Sequence, residues 1–231
     1  MSKTDRDKSD YVVGKKVKEH LISLGIETPM RESIFSSAQA KSSIQASVQD
    51  IMTTLGLDLF DDSLCDTPAR VAKMFVNELF WGLDYDNFPK ATVVSNKMGC
   101  DEMVLERRIT VHSTCEHHLL PILGSAHVAY IPNALDKGGT VLGLSKLNRI
   151  VEFFSRRPQI QERLTLQIAS TLKFLLETDN VAVCIDAEHL CVKTRGVEDA
   201  CSDTVTSSLS GVFKSNASAR AEFFSLINVN R

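Results

Sequence analysis

The segment LSKLNRIVEFFSRRPQIQERLTLQIASTLKFLLE, Leu144 to Glu177, decides the fold class. Its apolar residues fall in two periodic blocks: Leu144, Leu147, Ile150, Val151 and Phe154, then Ile160, Leu164, Ile168, Leu172 and Leu175. That spacing places each set on one face of a helix. Pro158 separates them, because a residue with no N–H and a fixed φ stops the first helix. Two consecutive amphipathic helices are expected here.

The flanks read differently. ATVVSN (91–96), EMVLERRITVH (102–112) and SAHVAYIP (125–132) are short and rich in β-branched residues, so they predict strands. NALDKGGTVLG (133–143) reads as a loop with a Gly-Gly turn. NVAVCIDAEHLCVKTRG (180–196) and SDTVTSSLSGVF (202–213) return to strand character, and SARAEFFSLIN (218–228) closes as a helix. The order ββααββ predicts an α+β unit, an antiparallel sheet with the helix pair on one face.

Upstream the chain is helical. The first ten residues read as a disordered tail. Val13, Val17, Leu21 and Leu24 mark one helix with Gly25 as its stop, and Ile44, Val48, Ile51, Met52 and Leu55 mark another. The Ser-rich stretch between them reads as a loop; for residues 36–43 a mobile loop and a phosphorylation target are both open. In DTPARVAKMFVNELFWG, Thr67 is the candidate N-cap and Pro68 the first helical residue. The expected divisions are a variable tail and helix (1–41), a helical region (42–90) and an α+β domain (91–231).

Hydrophobic residues make up 43 % of the chain and charged residues 24 %, a balance that can build a full core. The net charge of −3 gives no general attraction to nucleic acid or an anionic membrane. No apolar run is long enough to cross a bilayer, and the polar N-terminus lacks the apolar core of a secretory signal. A cytoplasmic location is expected. The six cysteines then read as metal ligands and free thiols rather than disulfides; Cys65, Cys100, Cys184 and Cys201 have no assigned role.

Two segments carry the chemistry. In STCEHHLLP, Ser113 to Pro121, Cys115 and His118 are three apart and share a side of a helical turn, as two metal ligands must. A buried thiol and a core histidine would give the same letters. In AEHLCVKTR, Ala187 to Arg195, His189 and Cys191 leave the same face of an expected strand, and Lys193 and Arg195 continue the row. Cys184 points to the opposite face and reads as core. If the two clusters meet, Cys115, His118 and Cys191 form a Cys₂His set. Such a set leaves a tetrahedral zinc one position for water, whose pKa falls towards about 7. Alternatively His117 or His189 closes the sphere and the metal only braces the fold. Spacing leaves both readings open.

Ser145, Lys146 and Arg149 sit at the start of a helix, where N–H groups and the dipole favour anions; an ordinary solvated face would look the same. Gln161 and Glu162 open the next helix. Glu162 there complements the dipole, and an amide beside a carboxylate also suits a purine edge. Arg70 and Lys73 are three apart and fit an exposed face equally well.

Taken together, STCEHHLLP, HVAYIP, GLSKLNRIVEFFSRRPQIQERLT, EHLCVKTRGV, TVTSSLSGVF and the TPARVAKMF helix resemble the zinc-dependent GTP cyclohydrolase I family, from about Ser42 to the C-terminus. The resemblance implies a T-fold whose subunits join sheets edge to edge into rings, two pentameric rings making a homodecamer with active sites at subunit interfaces. It implies conversion of GTP and water to 7,8-dihydroneopterin triphosphate and formate, the entry to folate or tetrahydrobiopterin synthesis. Zinc would sit on Cys115, His118 and Cys191, with His189 protonating guanine N7 and His117 serving later proton transfers. Ser145 would take part in the ribose rearrangement. Gln161 and Glu162 would read the guanine edge, and Lys146, Arg149, Arg195, Arg70 and Lys73 would hold the triphosphate. The resemblance leaves the downstream pathway and any feedback partner undecided. A T-fold nitrile reductase would use a catalytic cysteine and a nicotinamide-binding motif, which is not found here. A purely nucleotide-binding T-fold subunit would not need both spare histidines, nor a zinc-braced structural module the guanine- and phosphate-reading segments.

Overall fold

The structure, a computed structural model, describes residues 9–31, 35–134 and 139–228. The long central strands are β2 (Val104–Cys115), β3 (Pro121–Tyr130) and β6 (Val181–His189), joined by β7 (Thr204–Leu209) in antiparallel pairing. The two-residue strand β5 (Pro158–Gln159) adds a parallel edge, giving the order β5-β2-β3-β6-β7. The sheet is thus mixed rather than wholly antiparallel. Pro158, the helix stop, has no N–H to donate and is tolerated only at such an edge.

Strand alternation sorts the core. Val183, Ile185 and Ala187 of β6 face helices α4 (Leu144–Ser155) and α5 (Gln161–Leu176), which bury Leu147, Ile150, Val151, Phe154, Leu164, Ile168 and Leu172 against the sheet. Ala182 and Cys184 face the other way, under Phe213 of α7 (Val212–Ser215) and Phe223 of α8 (Ala217–Asn228). The helix pair lies on one face as expected, and Cys184 is core.

Several boundaries differ from the sequence reading. Ser9 bridges to Pro89, and the Asp10 carboxylate accepts from Val13 N at 3.1 Å to cap α1 (Tyr11–Ser23); the rest of the expected tail, residues 1–8, lies outside the described residues. Helix α2 (Ser37–Thr54) begins inside the Ser-rich stretch, because Ser36 and Gln39 exchange side-chain and backbone hydrogen bonds in a capping box. Helix α3 (Thr67–Met74) takes Asp66 rather than Thr67 as N-cap, and that carboxylate bonds Arg70 at 3.2 Å instead of the helix N–H groups. Within the expected loop 133–143, Thr140–Leu142 forms β4 and pairs with β1 (Val93–Ser95), the Tyr130 hydroxyl accepting from Leu142 N at 3.0 Å. Gly138 of the expected turn lies outside the described residues.

One anchor ties the helical N-terminal region to the sheet domain. Arg157 is fully buried, 3.0 Å from the Glu27 carboxylate, and also bonds the Gly82 carbonyl. Its guanidinium lies 4.8–5.1 Å from the ring centres of Tyr85, Phe153 and Phe154. The Tyr85 hydroxyl donates to the same carboxylate. Nothing in the letters R-R-P marks Arg157 as the buried member of its pair.

Candidate metal and proton-transfer site

The site stands where β2, β3 and β6 end together. Strand β2 finishes at Cys115, and the chain turns back through Leu119, whose φ of 54° is left-handed. Leu119 N donates to Cys115 O at 2.9 Å and Cys115 N to Leu120 O at 2.8 Å, closing the turn. This brings Cys115 Sγ to 3.7 Å from His118 Nδ1. Across β3, Ile122 pairs with His189, the last residue of β6. The strand then stops, and α6 (Leu190–Lys193) makes one helical turn, so the expected alternating row does not continue: Lys193 instead bonds Glu188 at 3.0 Å. The turn carries Cys191 inward.

The two sequence clusters meet. Ligand atoms of Cys115, His118 and Cys191 all lie within 4.8 Å of one another, the only such metal-capable group among the described residues. Metal–sulfur bonds of about 2.3 Å and metal–nitrogen bonds of about 2.0 Å at tetrahedral angles set ligand atoms roughly 3.5–3.8 Å apart. The set therefore fits a zinc ion after a small contraction. Burial, then the adjacent Cys115 thiol, pushes the Cys191 thiol above its usual range; a cation there would reverse the preference.

The remaining histidines have distinct surroundings. His117 is exposed, with Nδ1 4.0 Å from Cys115 Sγ and Nε2 3.8 Å from Glu116 Oε1. Glu116 is held by Arg163 at 2.5 Å, an ion pair that spacing did not suggest. His189 is half-buried, and its Nε2 lies 2.7 Å from Gln161 Oε1. Burial lowers its proton affinity, with Glu162 partly opposing. Gln161 is buried and its side-chain amide is engaged by protein groups, whereas Glu162 is exposed. Arg195 Nη1 is 2.6 Å from His118 Nε2.

The anion-binding candidates are elsewhere. Ser145, Lys146 and Arg149 start α4 beside the Tyr130 end of the sheet, where Asn148 bonds Glu106. From Glu106 to Thr114 is roughly 25 Å of strand at about 3.3 Å per residue. Burial and then the charges of Arg149 and Lys90 lower the proton affinity of Lys146, the signature of a basic cluster that an anion would relieve; Lys90 had not been singled out. Arg70 bonds Asp66, and α3 packs on α2 and the π-helical turn Phe75–Leu79. Among the described residues neither Arg70 nor Lys73 makes a hydrogen bond to the histidine cluster. A cavity of about 290 Å³ lined by Thr110, His112, Asn148, Glu152, Ser155 and Arg156 lies between β2 and α4.

Comparison with known proteins decides the family. The GTP cyclohydrolase I family model matches residues 44–228. The chain belongs to the GTP cyclohydrolase I family. It is 57 % identical over 209 residues to GTP cyclohydrolase 1 of Vibrio parahaemolyticus serotype O3:K6, covering 90 % of this chain and 94 % of that one. It is 55 % identical over 208 residues to GTP cyclohydrolase 1 of Shewanella sp. strain W3-18-1, covering 90 % and 95 %. The fold is in keeping with the family's T-fold, an α+β sheet domain preceded by helices. No helix among the described residues is long and apolar enough to cross a membrane.

Proposed function

We propose that this chain is a zinc-dependent GTP cyclohydrolase I, acting in the cytoplasm and converting GTP and water to 7,8-dihydroneopterin triphosphate and formate. The observation that carries the reading is the Cys115, His118 and Cys191 set with two further histidines, His117 and His189, at its rim. Zinc on those three residues supplies a Lewis acid that makes water nucleophilic near neutral pH. His189 then gives a proton to guanine N7 as C8 is attacked, and His117 moves protons as the imidazole ring opens and formate leaves. The Glu162 carboxylate accepts from the guanine N–H groups. Lys146, Arg149 and Arg195 hold the triphosphate with Arg70 and Lys73, and Ser145 serves the ribose rearrangement. Were His118 to hold the metal through Nδ1, its ring proton would sit on Nε2 facing the Arg195 guanidinium; two donors cannot bond each other, so exposed Arg195 would be free for the substrate phosphates. Purified, zinc-loaded protein given GTP is expected to release formate and to yield a fluorescent pterin after oxidation; absence of both products overturns the reading.

The site is shared between subunits in this reading. The distance between the α4 start and the histidine cluster supports it, as do the outer side of β2, strand-paired among the described residues only at Thr114 and Cys115, and the outer edge of β7. Edge-to-edge pairing of β2 with a neighbour's β7 would close a ring, and two pentameric rings would give a decamer with the divisions 1–41, 42–90 and 91–231 as tail, helical region and T-fold domain. Sedimentation is expected to show a large ring assembly. Mixing inactive His189→Ala and inactive Lys146→Ala subunits is expected to restore part of the activity, since some interfaces then hold both native halves. A stable active monomer, or hybrids that stay inactive, would refute the shared site.

A further inference from the structure

Gln161 sits in a hydrogen-bond chain whose geometry fixes which way its side-chain amide is turned. Thr165 Oγ1 donates to the main-chain carbonyl of Gln161 at 2.8 Å, which uses its single proton. The Thr165 and Thr206 hydroxyls are 2.7 Å apart, so Thr206 must be the donor in that pair. Thr206 Oγ1 is then an acceptor for the Gln161 amide nitrogen at 3.2 Å, alongside the carbonyls of Thr204 at 2.8 Å and Ile185 at 3.1 Å. Turning the amide over would set its oxygen against those same acceptors. The oxygen therefore faces His189 Nε2, at 2.7 Å, and requires an N–H there.

We propose that Gln161 is a positioning residue that holds His189 with Nε2–H turned to the protein and Nδ1 left as the ring nitrogen for the substrate. The chain crosses three elements: Thr165 and Gln161 lie on α5, His189 ends β6, and Thr206 lies on β7. The ring orientation thus depends on how α5 seats against the sheet. A neutral imidazole has one proton to place, and the buried amide decides which nitrogen carries it; the proton given to guanine N7 is therefore the second one, carried on Nδ1 of the imidazolium, and its transfer leaves the neutral Nε2–H ring. The consequence for catalysis rests on the proton-transfer role proposed above for His189; the tautomer does not.

The test begins with the native assembly carrying ¹⁵N-labelled histidine. The His189 signals, assigned by their loss in His189→Ala, are expected to report the Nε2–H tautomer; a neutral ring protonated on Nδ1 overturns the inference alone, whatever the rates. Thr206→Val keeps the shape and removes the hydroxyl. It is expected to lower kcat by about tenfold, part of the 10²–10⁴ that a placed acid–base group contributes, with KM and zinc content unchanged, and Thr206→Ser is expected to restore it. An unchanged kcat, a change in KM only, or a loss that serine does not repair would overturn the positioning role. A fully active His189→Ala enzyme would instead refute the proton-transfer role while the spectrum still decided the tautomer.

Discussion

His118→Ala is expected to abolish zinc binding and turnover together, whereas His117→Ala should keep its zinc and lose only turnover. Both rings are exposed, but the turn at Glu116–Leu120 groups His118 with Cys115 and Cys191, while His117 lies beside Cys115 and Glu116. Removing one of three ligands leaves two, too few to retain the ion against a chelator. Cys191→Ala should behave like His118→Ala. Loss of a proton-transfer group costs about 10²–10⁴ in rate with the metal in place, so His117→Ala and His189→Ala should fall in that range. Zinc content by elemental analysis and formate release measured on the same samples separate the two classes. Zinc loss in the His117 or His189 variants would show that the ligands are wrongly assigned.

The second large effect is on stability. Glu27→Ala removes the carboxylate that pairs with fully buried Arg157. An unpaired buried charge costs about 3–5 kcal/mol, a substantial part of the about 5–15 kcal/mol that holds a typical domain folded. The carbonyl of Gly82 and the rings of Tyr85, Phe153 and Phe154 remain around the guanidinium, but none carries a compensating negative charge. Thermal unfolding should shift down by roughly 10 °C at the 2–4 °C per kcal/mol of a chain this size. Glu27→Gln keeps an acceptor and should lose less. Equal melting temperatures for wild type and Glu27→Ala would mean that the pair contributes nothing net.

Local pattern carried much of the architecture. The α4–α5 pair, the strands β2, β3, β6 and β7, and the burial of Cys184 follow from periodicity, because burial on one face leaves a repeat of 3.6 or 2 in the letters. Short elements escaped. Strand β5 has two residues and β4 three, too few to show a period. The turn at α6 interrupts what reads as one strand, since His189, Cys191, Lys193 and Arg195 alternate in sequence without alternating in space. The start of α2 was hidden because serine serves loops and helix caps alike.

The sequence by itself determined the donor types: which cysteines and histidines could take a metal, and which basic residues could meet an anion. Ligand chemistry is a property of the side chain and survives without coordinates. Only the tertiary structure decided who meets whom. It joined Cys115 and His118 to Cys191, set Gln161 against His189, and buried Arg157 on Glu27. It also set Ser145, Lys146 and Arg149 at the far end of the sheet. Such meetings depend on strand register and helix docking between residues far apart in the chain, and no local spacing encodes them.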